Sequence, residues 1–153
     1  MSTPLNLAGM AAVVAAATLL VARLDPDRGT NWARTATVST STQNPGLSGL
    51  TDGDLWNQGI ATGEEDQPWV LLDLTASRVV SRIVVYNRND CCYEHNSPLV
   101  LELSPDGKSY TRVAQKEGAF HQWDQPIQRQ PARYLRVKLL RKARLVLREV
   151  EVY

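Results

Sequence analysis

Short runs in which apolar and polar residues alternate dominate the chain from Pro68 onward. The run 135–139 places Leu, Val and Leu at every second position, and the run 149–153 repeats the pattern with valine. A period of two residues buries one face of a strand and leaves the other in water, and helical periodicity is absent from this part of the chain. The pattern predicts an all-β fold, either a sandwich or a barrel.

Further runs complete the predicted sheet. Trp69–Leu74 and Val79–Tyr86 are rich in branched apolar residues, and Leu99–Leu103 alternates. The sequence Ser104-Pro105-Asp106-Gly107 predicts a hairpin turn, because proline presets one backbone dihedral angle and glycine accepts a positive φ. Ser109–Gln115 is then the returning strand.

A long apolar run lies near the amino terminus. Pro4–Ala22 contains nineteen residues and no charged side chain. At about 1.5 Å per residue this run approaches the ~30 Å thickness of the bilayer core, and it has no polar face, so we predict one transmembrane helix over residues 4–24. A cleaved signal peptide is the alternative, but no basic residue precedes the run, and the site Ala15-Ala16-Ala17 would cut it in half.

The remaining boundaries follow from turn signals. Residues 25–46 contain Pro, Gly, Ser and Thr clusters, and we interpret them as a linker that leads into a first edge strand. The β-sandwich is predicted over residues 47–153, with its start as early as residue 32. Arg23, Arg28 and Arg34 follow the apolar run, which by the positive-inside rule favours a cytoplasmic globular part.

The overall composition narrows the class of function. The chain has 153 residues, a length typical of one domain, and its 17 basic and 16 acidic residues leave a net charge of +1. This balance argues against a nucleic-acid-binding role. The chain also lacks the Gly-x-Ser-x-Gly, phosphate-loop and His-Glu-x-x-His motifs, so we predict a binding protein rather than an enzyme.

The charges are nevertheless segregated along the sequence. Residues 51–77 contain six acidic side chains and no basic one, whereas residues 129–153 contain eight basic and two acidic side chains. The run 138–144 is the most basic part. It fits either a surface that contacts anionic lipid headgroups or a solvated face of the sheet.

Six short segments follow one another in an order typical of one family. They are Leu50–Asp54, Pro68–Leu74, Ile83–Cys92, Leu103–Tyr110, Ala132–Val137 and Glu149–Tyr153. Together they resemble the discoidin domain, also called the coagulation factor V/VIII type C domain, over about residues 32–153. The resemblance implies a galactose-binding-like jelly-roll sandwich that binds glycans, lipids or proteins through loops at one end, without catalysis.

Within that superfamily, Asn87–Cys92 is most similar to the fucose-binding F-type lectins. The resemblance implies a sugar site that includes Arg88 and Asp90. A second basic side chain is expected where this chain has His95, and an upstream histidine where it has Ala61. An ion pair between Arg88 and Asp90 that only fixes the loop is the alternative interpretation.

The two cysteines are adjacent. The resemblance implies that Cys91 and Cys92 form a vicinal disulfide that presents an apolar ridge to a sugar, which requires an oxidising compartment. In a reducing compartment the pair would instead be free thiols that pack the loop. A metal site made from this pair is not expected, because His95 and His121 are the only histidines in the chain.

The same resemblance implies a structural calcium site. Its side-chain ligands would be Asp52 and Glu149, and backbone carbonyls would come from Gly49, Asp54 and Arg148. Calcium takes six to eight hard oxygen ligands, which a turn-rich acidic loop can supply. An ordinary turn with solvated carboxylates is the alternative.

Two tryptophans are candidate contact residues for a sugar ring or a protein partner. Trp56 follows the acidic loop, and Trp123 lies in Phe120-His121-Gln122-Trp123. Each also fits a role in covering a loop.

These observations predict a single-pass membrane protein with one discoidin-like sandwich that works by binding. The first hypothesis is a docking or accessory subunit that contacts integral membrane proteins, because two positions of the implied sugar site are altered. The second is a membrane-tethered lectin for fucose or galactose. The third is an anionic-lipid contact module. The resemblance favours a globular part outside the cytoplasm, against the positive-inside rule.

Overall fold

A computed structural model of the chain describes residues 29–42, 47–57 and 59–153. The predicted transmembrane segment 4–24 lies outside the described residues. None of the helices within the described ranges has the length and apolar character that a membrane crossing requires.

The described residues form an all-β fold with three short 3₁₀ helices, as the alternating pattern predicts. The 3₁₀ helices are Trp32–Thr35, Leu47–Leu50 and Tyr93–Asn96. The strands are β1 (Thr37–Thr40), β2 (Ile60–Ala61), β3 (Glu65–Asp66), β4 (Trp69–Asn87), β5 (Leu99–Ser104), β6 (Thr111–Lys116), β7 (Gln122–Leu139), β8 (Lys142–Ala143) and β9 (Val146–Val152).

Two long antiparallel strands organise the sandwich. β4 has 19 residues and β7 has 18, and they pair along most of their length with register shifts between Asp73 and Arg78 and between Val80 and Arg82. β1 pairs with the first part of β4, and β9 pairs with its last part. The strand order is β2-β9-β4-β7-β5-β6, and β3 and β8 form a separate two-stranded sheet. The separate candidate strands Trp69–Leu74 and Val79–Tyr86 are therefore one bent strand.

Much of the core comes from apolar residues at alternate strand positions. Leu135, Val137 and Leu139 are fully buried, whereas Arg136 and Lys138 between them are half-buried. Each fully buried leucine side chain contributes on the order of 1.5–3 kcal/mol through removal of apolar surface from water. The predicted alternation is confirmed for this strand.

The predicted hairpin turn between β5 and β6 is also confirmed. Gly107 has a φ of +73°, and the Ser104 hydroxyl accepts hydrogen bonds from the backbone N–H groups of Asp106 and Gly107. Asp106 in turn accepts from the N–H groups of Lys108 and Ser109 at 2.9 Å each. These backbone donors lower the pKa of Asp106. The turn is thus stabilised by its own side chains.

The segment that precedes β1 is tied to the last strand. Asn31 Oδ1 accepts hydrogen bonds from the N–H of Ala33 and from the N–H of Val152 in β9. Asn31 therefore joins this segment to β9. The strand within the predicted linker is β1, which has β4 as its one neighbour in the described sheet.

Candidate functional site

Two buried asparagines hold together the loop that follows β4. The Asn87 side-chain amide donates to the carbonyls of Tyr93 and Phe120 at 2.9 and 2.8 Å. The Asn96 amide donates to Asn87 Oδ1 and to the carbonyl of Val146, while Asn96 Oδ1 accepts from the Val146 N–H. This network joins the loop to β9. It satisfies polar groups that would be costly to bury alone.

Arg88 and Asp90 form a bidentate ion pair at the start of this loop. Arg88 Nε lies 2.7 Å from Asp90 Oδ1, and Arg88 Nη2 lies 2.6 Å from Asp90 Oδ2. The hydrogen bonds raise the pKa of Arg88 and hold the pKa of Asp90 well below its usual range. The pair fixes the plane of the guanidinium, and Nη1 takes no part in it.

The cysteine pair lies next to this ion pair. Cys91 and Cys92 are joined by a disulfide bond. Cys92 has a φ of +62° and precedes the 3₁₀ helix Tyr93–Asn96, in which the His95 N–H donates to the Cys92 carbonyl at 3.0 Å. A left-handed backbone conformation is uncommon for a residue other than glycine, so this conformation marks a constrained turn. Beyond this turn, His95 lines the same cleft as Arg88.

That cleft has a volume of about 360 Å³. One wall is the loop with Arg88 and His95, and the other is the segment around β8. Arg141 joins the two walls, since its Nε donates to the Ser97 carbonyl at 2.9 Å and its Nη2 donates to the His95 carbonyl. The charged and polar residues that line it are Glu64, Arg88, His95, Asn96, Arg141, Lys142 and Arg144.

Two smaller hollows adjoin the cleft through Arg88. One of about 300 Å³ is lined by Arg88, Asp90, Val146 and Arg148. The other, also about 300 Å³, includes Arg88 and Arg148 together with Leu55, Trp56 and His121. Trp56 is 88% exposed, so its indole ring presents a flat apolar surface beside this hollow. Arg88 lines all three hollows.

A β-bulge shapes the shared edge of these hollows. Tyr86 pairs with Glu149 and Asn87 pairs with Leu147, so the register skips Arg148. The Arg148 side chain donates to Asn89 Oδ1 in the opposite loop. A bulge re-aims a side chain in this way and is frequent beside binding sites.

Trp123, the second candidate contact aromatic, lies in the core rather than on this surface. Its side chain is 6% exposed and packs edge-to-face on Phe120, with ring centroids 6.3 Å apart. Its indole N–H donates to Gln125 Oε1 at 3.1 Å. It occupies an inward-facing position of β7, so it offers almost no surface to a ligand. Of the two candidate tryptophans, only Trp56 is exposed enough to contact one.

Three residues of the implied calcium site, Gly49, Asp52 and Glu149, lie close together. Glu149 is 0% exposed; its Oε1 accepts from the Gly53 N–H at 3.0 Å, and its Oε2 has no hydrogen-bond partner among the described residues. Burial, and after it the nearby charge of Asp52, raises the pKa of Glu149 to about 7. A buried carboxylate oxygen without a partner is costly unless a cation or a proton satisfies it.

The loop beside Glu149 is rich in oxygen atoms. The Asn57 amide bridges the Gly49 carbonyl at 3.1 Å and Asp52 Oδ2 at 2.7 Å, and Asp52 Oδ1 accepts from the Asp54 N–H. Within the described ranges, no group of three or more His, Cys, Asp and Glu side chains is placed to hold a metal ion. Asp52 and Glu149 fit a hard cation only if backbone carbonyls complete its shell.

A family comparison agrees with this architecture. The family model of the NedA-like galactose-binding domains matches residues 49–137, more than half of the chain. The chain belongs to this family. Among the curated proteins, none matches the sequence.

This galactose-binding domain is also similar to solved lectin structures. The lectin domain of lectinolysin, solved in complex with Lewis B antigen, is 25% identical with a TM-score of 0.70, and the match covers 82% of this chain and 96% of that one. A fucose-binding module of Streptococcus pneumoniae is 26% identical with a TM-score of 0.68, covering 81% and 94%. The fucolectin from striped bass (Morone saxatilis) serum is 26% identical with a TM-score of 0.69, covering 80% of this chain and 47% of that one.

Sequence reasoning missed two parts of the site in this galactose-binding domain. The first is the buried Asn96, because an asparagine in a polar loop carries no pattern that marks it as buried. The second is the placement of Arg141, Lys142 and Arg144 at the cleft. The basic run was visible in the sequence, but only long-range contacts, such as the hydrogen bonds from Arg141 to the carbonyls of His95 and Ser97, bring it beside the loop of Arg88.

Proposed function

We propose that this galactose-binding domain is a non-catalytic carbohydrate-binding module, with its sugar site in the cleft at Arg88. The observation that carries the proposal is the position of Arg88, whose guanidinium is fixed by Asp90 and lines three adjoining hollows. A cation held in one orientation donates hydrogen bonds to ring hydroxyls at a lower entropic cost than a mobile side chain.

The surroundings of Arg88 suit the two faces of a sugar. Donors line the cleft on one side, whereas Trp56 and Leu55 supply apolar surface on the other. A pyranose has polar edges and an apolar face, and aromatic side chains pack on such faces. Two solved structures similar to this chain are named a lectin domain and a fucose-binding module, which supports a sugar as the ligand.

The test is retention of purified chain on fucose and galactose matrices. Arg88→Ala is expected to abolish retention, because it removes the central donor. Arg82→Ala is the matched control, since Arg82 forms the same bidentate pair with Asp124, with both distances 2.7 Å, and lines none of the three hollows. No retention of the intact chain on any glycan of a broad array would contradict the proposal.

A docking role in a membrane assembly is a second candidate. It is favoured by the exposure of Leu55 and Trp56, an apolar pair of the kind that anchors protein interfaces. Purification in mild detergent is expected to bring stoichiometric partner subunits with the chain. A clean monomer would count against this role.

The third hypothesis, lipid contact through the basic carboxyl-terminal part, has less support. Arg133 pairs with Asp73, and Arg136 pairs with Glu102 while its guanidinium stacks on Tyr110. These two arginines are therefore already neutralised within the fold. Within the run 138–144, Arg141, Lys142 and Arg144 line the cleft at Arg88, so we propose no separate lipid site on this face.

We further propose a structural calcium ion held by Asp52 and Glu149 with the backbone carbonyls of Gly49, Asp54 and Arg148. The unpartnered Oε2 of the buried Glu149 supports it. The ion would supply the missing counter-charge for two neighbouring carboxylates and tie the loop to β9.

A further inference from the structure

The cleft at Arg88 is lined by an excess of basic side chains. Arg88, Arg141, Lys142 and Arg144 face one acidic residue, Glu64. Like charges gathered in a concave site raise the local potential, because low-dielectric walls focus the field. A neutral sugar needs only a few donors, so this concentration of charge calls for its own explanation.

Two of these four cations are already committed to partners. Arg88 is paired with Asp90, and Arg141 donates to the carbonyls of His95 and Ser97. Lys142 and Arg144 differ, because both side chains are exposed and neither forms an ion pair within the part of the chain that the structure describes. They are therefore the two exposed cations of the cleft that no described residue neutralises.

The acidic residues of β3 do not cancel this charge. Asp66 lies opposite Lys142 in the β3–β8 register, but no ion pair joins them among the described residues, and Asp66 does not line the cleft. Glu65 lies opposite Ala143, and its carboxylate accepts a hydrogen bond from the Ser41 hydroxyl. Glu64 alone faces the basic side chains across the cleft.

We propose that the cleft selects an anionic saccharide, whose carboxylate or sulfate group lies against Lys142 and Arg144 while Arg88 takes ring hydroxyls. The proposal rests on the carbohydrate-binding function proposed above and specifies its ligand class. An acidic group on the sugar satisfies both uncommitted cations through charge-assisted hydrogen bonds, which are stronger than those to neutral hydroxyls.

The shape of the site favours a saccharide over a membrane surface. A cleft of about 360 Å³ is within the usual size range of small-ligand pockets. The exposed Leu55 and Trp56, which a lipid-binding surface would insert beside its cations, belong to a different hollow from Lys142 and Arg144. Binding to anionic vesicles is therefore an outcome of the test rather than the proposal.

The experiment is calorimetric titration of the full chain with matched monosaccharides. Galactose is compared with galacturonic acid, which carries a carboxylate at C6, and with galactose 6-sulfate, so that the two acidic arms identify the preferred anion. N-acetylneuraminic acid tests a carboxylate in another position. At least one acidic sugar is expected to bind about tenfold more tightly than galactose at low salt. The difference is expected to shrink as salt is raised, because salt screens exposed charges.

The double variant Lys142→Gln/Arg144→Gln is expected to remove the preference for charge, so that the variant binds acidic sugars no more tightly than it binds galactose. The control Lys108→Gln/Arg112→Gln removes the same charge from the exposed β5–β6 hairpin and its returning strand, away from the cleft, and is expected to change neither affinity.

The outcomes separate this inference from the proposed function. If galactose binds and no acidic sugar binds more tightly, the inference fails and the carbohydrate-binding function stands. If the cleft variant and the control lower acidic-sugar affinity equally, the inference also fails. If no sugar binds at all, both proposals fall. Binding to phosphatidylserine vesicles without binding to any acidic sugar would assign the cations to lipid and overturn the inference.

Discussion

Asn96 donates a side-chain hydrogen bond to Asn87 Oδ1 at 2.5 Å, and both asparagines are almost completely buried. Asn87 ends β4 and Asn96 ends the loop that carries Arg88 and the disulfide. Their contact, extended by Asn96 to Val146 in β9, fixes the loop on the sandwich. The binding surface is therefore positioned by a small polar core beneath it.

Asn96→Ala should destabilise the fold. It removes the donors to Asn87 and the Val146 carbonyl and the acceptor for the Val146 N–H, and unsatisfied buried groups cost about 1–3 kcal/mol. Equilibrium urea unfolding measures the change in the free energy of unfolding. Asn89→Ala, an exposed asparagine in the same loop, is the control, with an expected change of less than about 0.5 kcal/mol. Equal effects of the two variants would argue against the network.

Gly59→Ala should cost about 2 kcal/mol or more, because two penalties combine. Gly59 has a φ of +59°, and a Cβ there would lie 2.1 Å from the Leu147 carbonyl oxygen. Gly118→Ala measures the cost of the positive φ without a steric clash, since Gly118 has a φ of +75° and a Cβ added there would meet nothing within 4 Å. Thermal unfolding of both variants gives the comparison. A loss for Gly59→Ala no larger than for Gly118→Ala would contradict the close approach of the loop to the β9 bulge.

Glu149 should make the stability of the calcium-free chain depend on pH. Its pKa is raised in the fold from 4.5 to about 7, so folding favours the protonated carboxyl. The stabilisation of the folded state by this protonated carboxyl is complete below about pH 4.5 and is lost as pH rises through 7. The free energy of unfolding falls by roughly 3 kcal/mol over this range. The midpoint of thermal unfolding in chelator is therefore expected to fall between pH 5 and pH 8.

Calcium is expected to reverse that fall, because it binds the ionised carboxylate. Glu149→Gln keeps an oxygen that can accept from Gly53 and should abolish both the pH dependence and the response to calcium. Glu151→Gln, two residues further along β9, is the control and should retain both. If calcium leaves the unfolding midpoint of the unmodified chain unchanged at pH 8, the calcium proposal fails while the pH dependence still stands.

Reduction of the Cys91–Cys92 bond should affect binding more than folding. A bond between adjacent residues closes almost no loop, so it constrains the unfolded chain little. It does constrain the turn at Cys92, whose carbonyl accepts a hydrogen bond from the His95 backbone N–H. Cys91→Ser/Cys92→Ser is expected to shift the unfolding midpoint slightly and to weaken sugar binding several-fold by calorimetry. Unchanged sugar affinity in the double variant would show that the disulfide does not contribute to sugar binding.

The strands were predictable to the extent that burial follows a period of two. Leu135–Leu139 and the turn at Ser104–Gly107 carry local signals, and the structure has both. The continuity of β4 through residues 75–78 was not predictable, because Thr75 adopts a positive φ and the register shifts there. Such a bend is determined by pairing with β7, which no local pattern encodes.

The candidate site was predictable only in part. The resemblance carried by Asn87–Cys92 located the loop with Arg88 and Asp90, because these residues follow one another in the sequence. Lys142 and Arg144 are more than fifty residues away, and they reach the same cleft only through long-range contacts, among them those of the neighbouring Arg141 with the carbonyls of His95 and Ser97. Trp56 and Trp123 look alike in sequence, yet one is 88% and the other 6% exposed, because a strand position buries Trp123.

The most direct test of the central claim is chemical-shift mapping of the ¹⁵N-labelled chain during titration with fucose, galactose and galacturonic acid. Saturable shifts are predicted for the amides of Arg88, His95 and Ala143 and for the side-chain N–H of Trp56, with no shifts in the β5–β6 turn at Asp106. The absence of any saturable shift, or shifts confined to residues remote from Arg88, would contradict the assignment of a sugar site to this cleft.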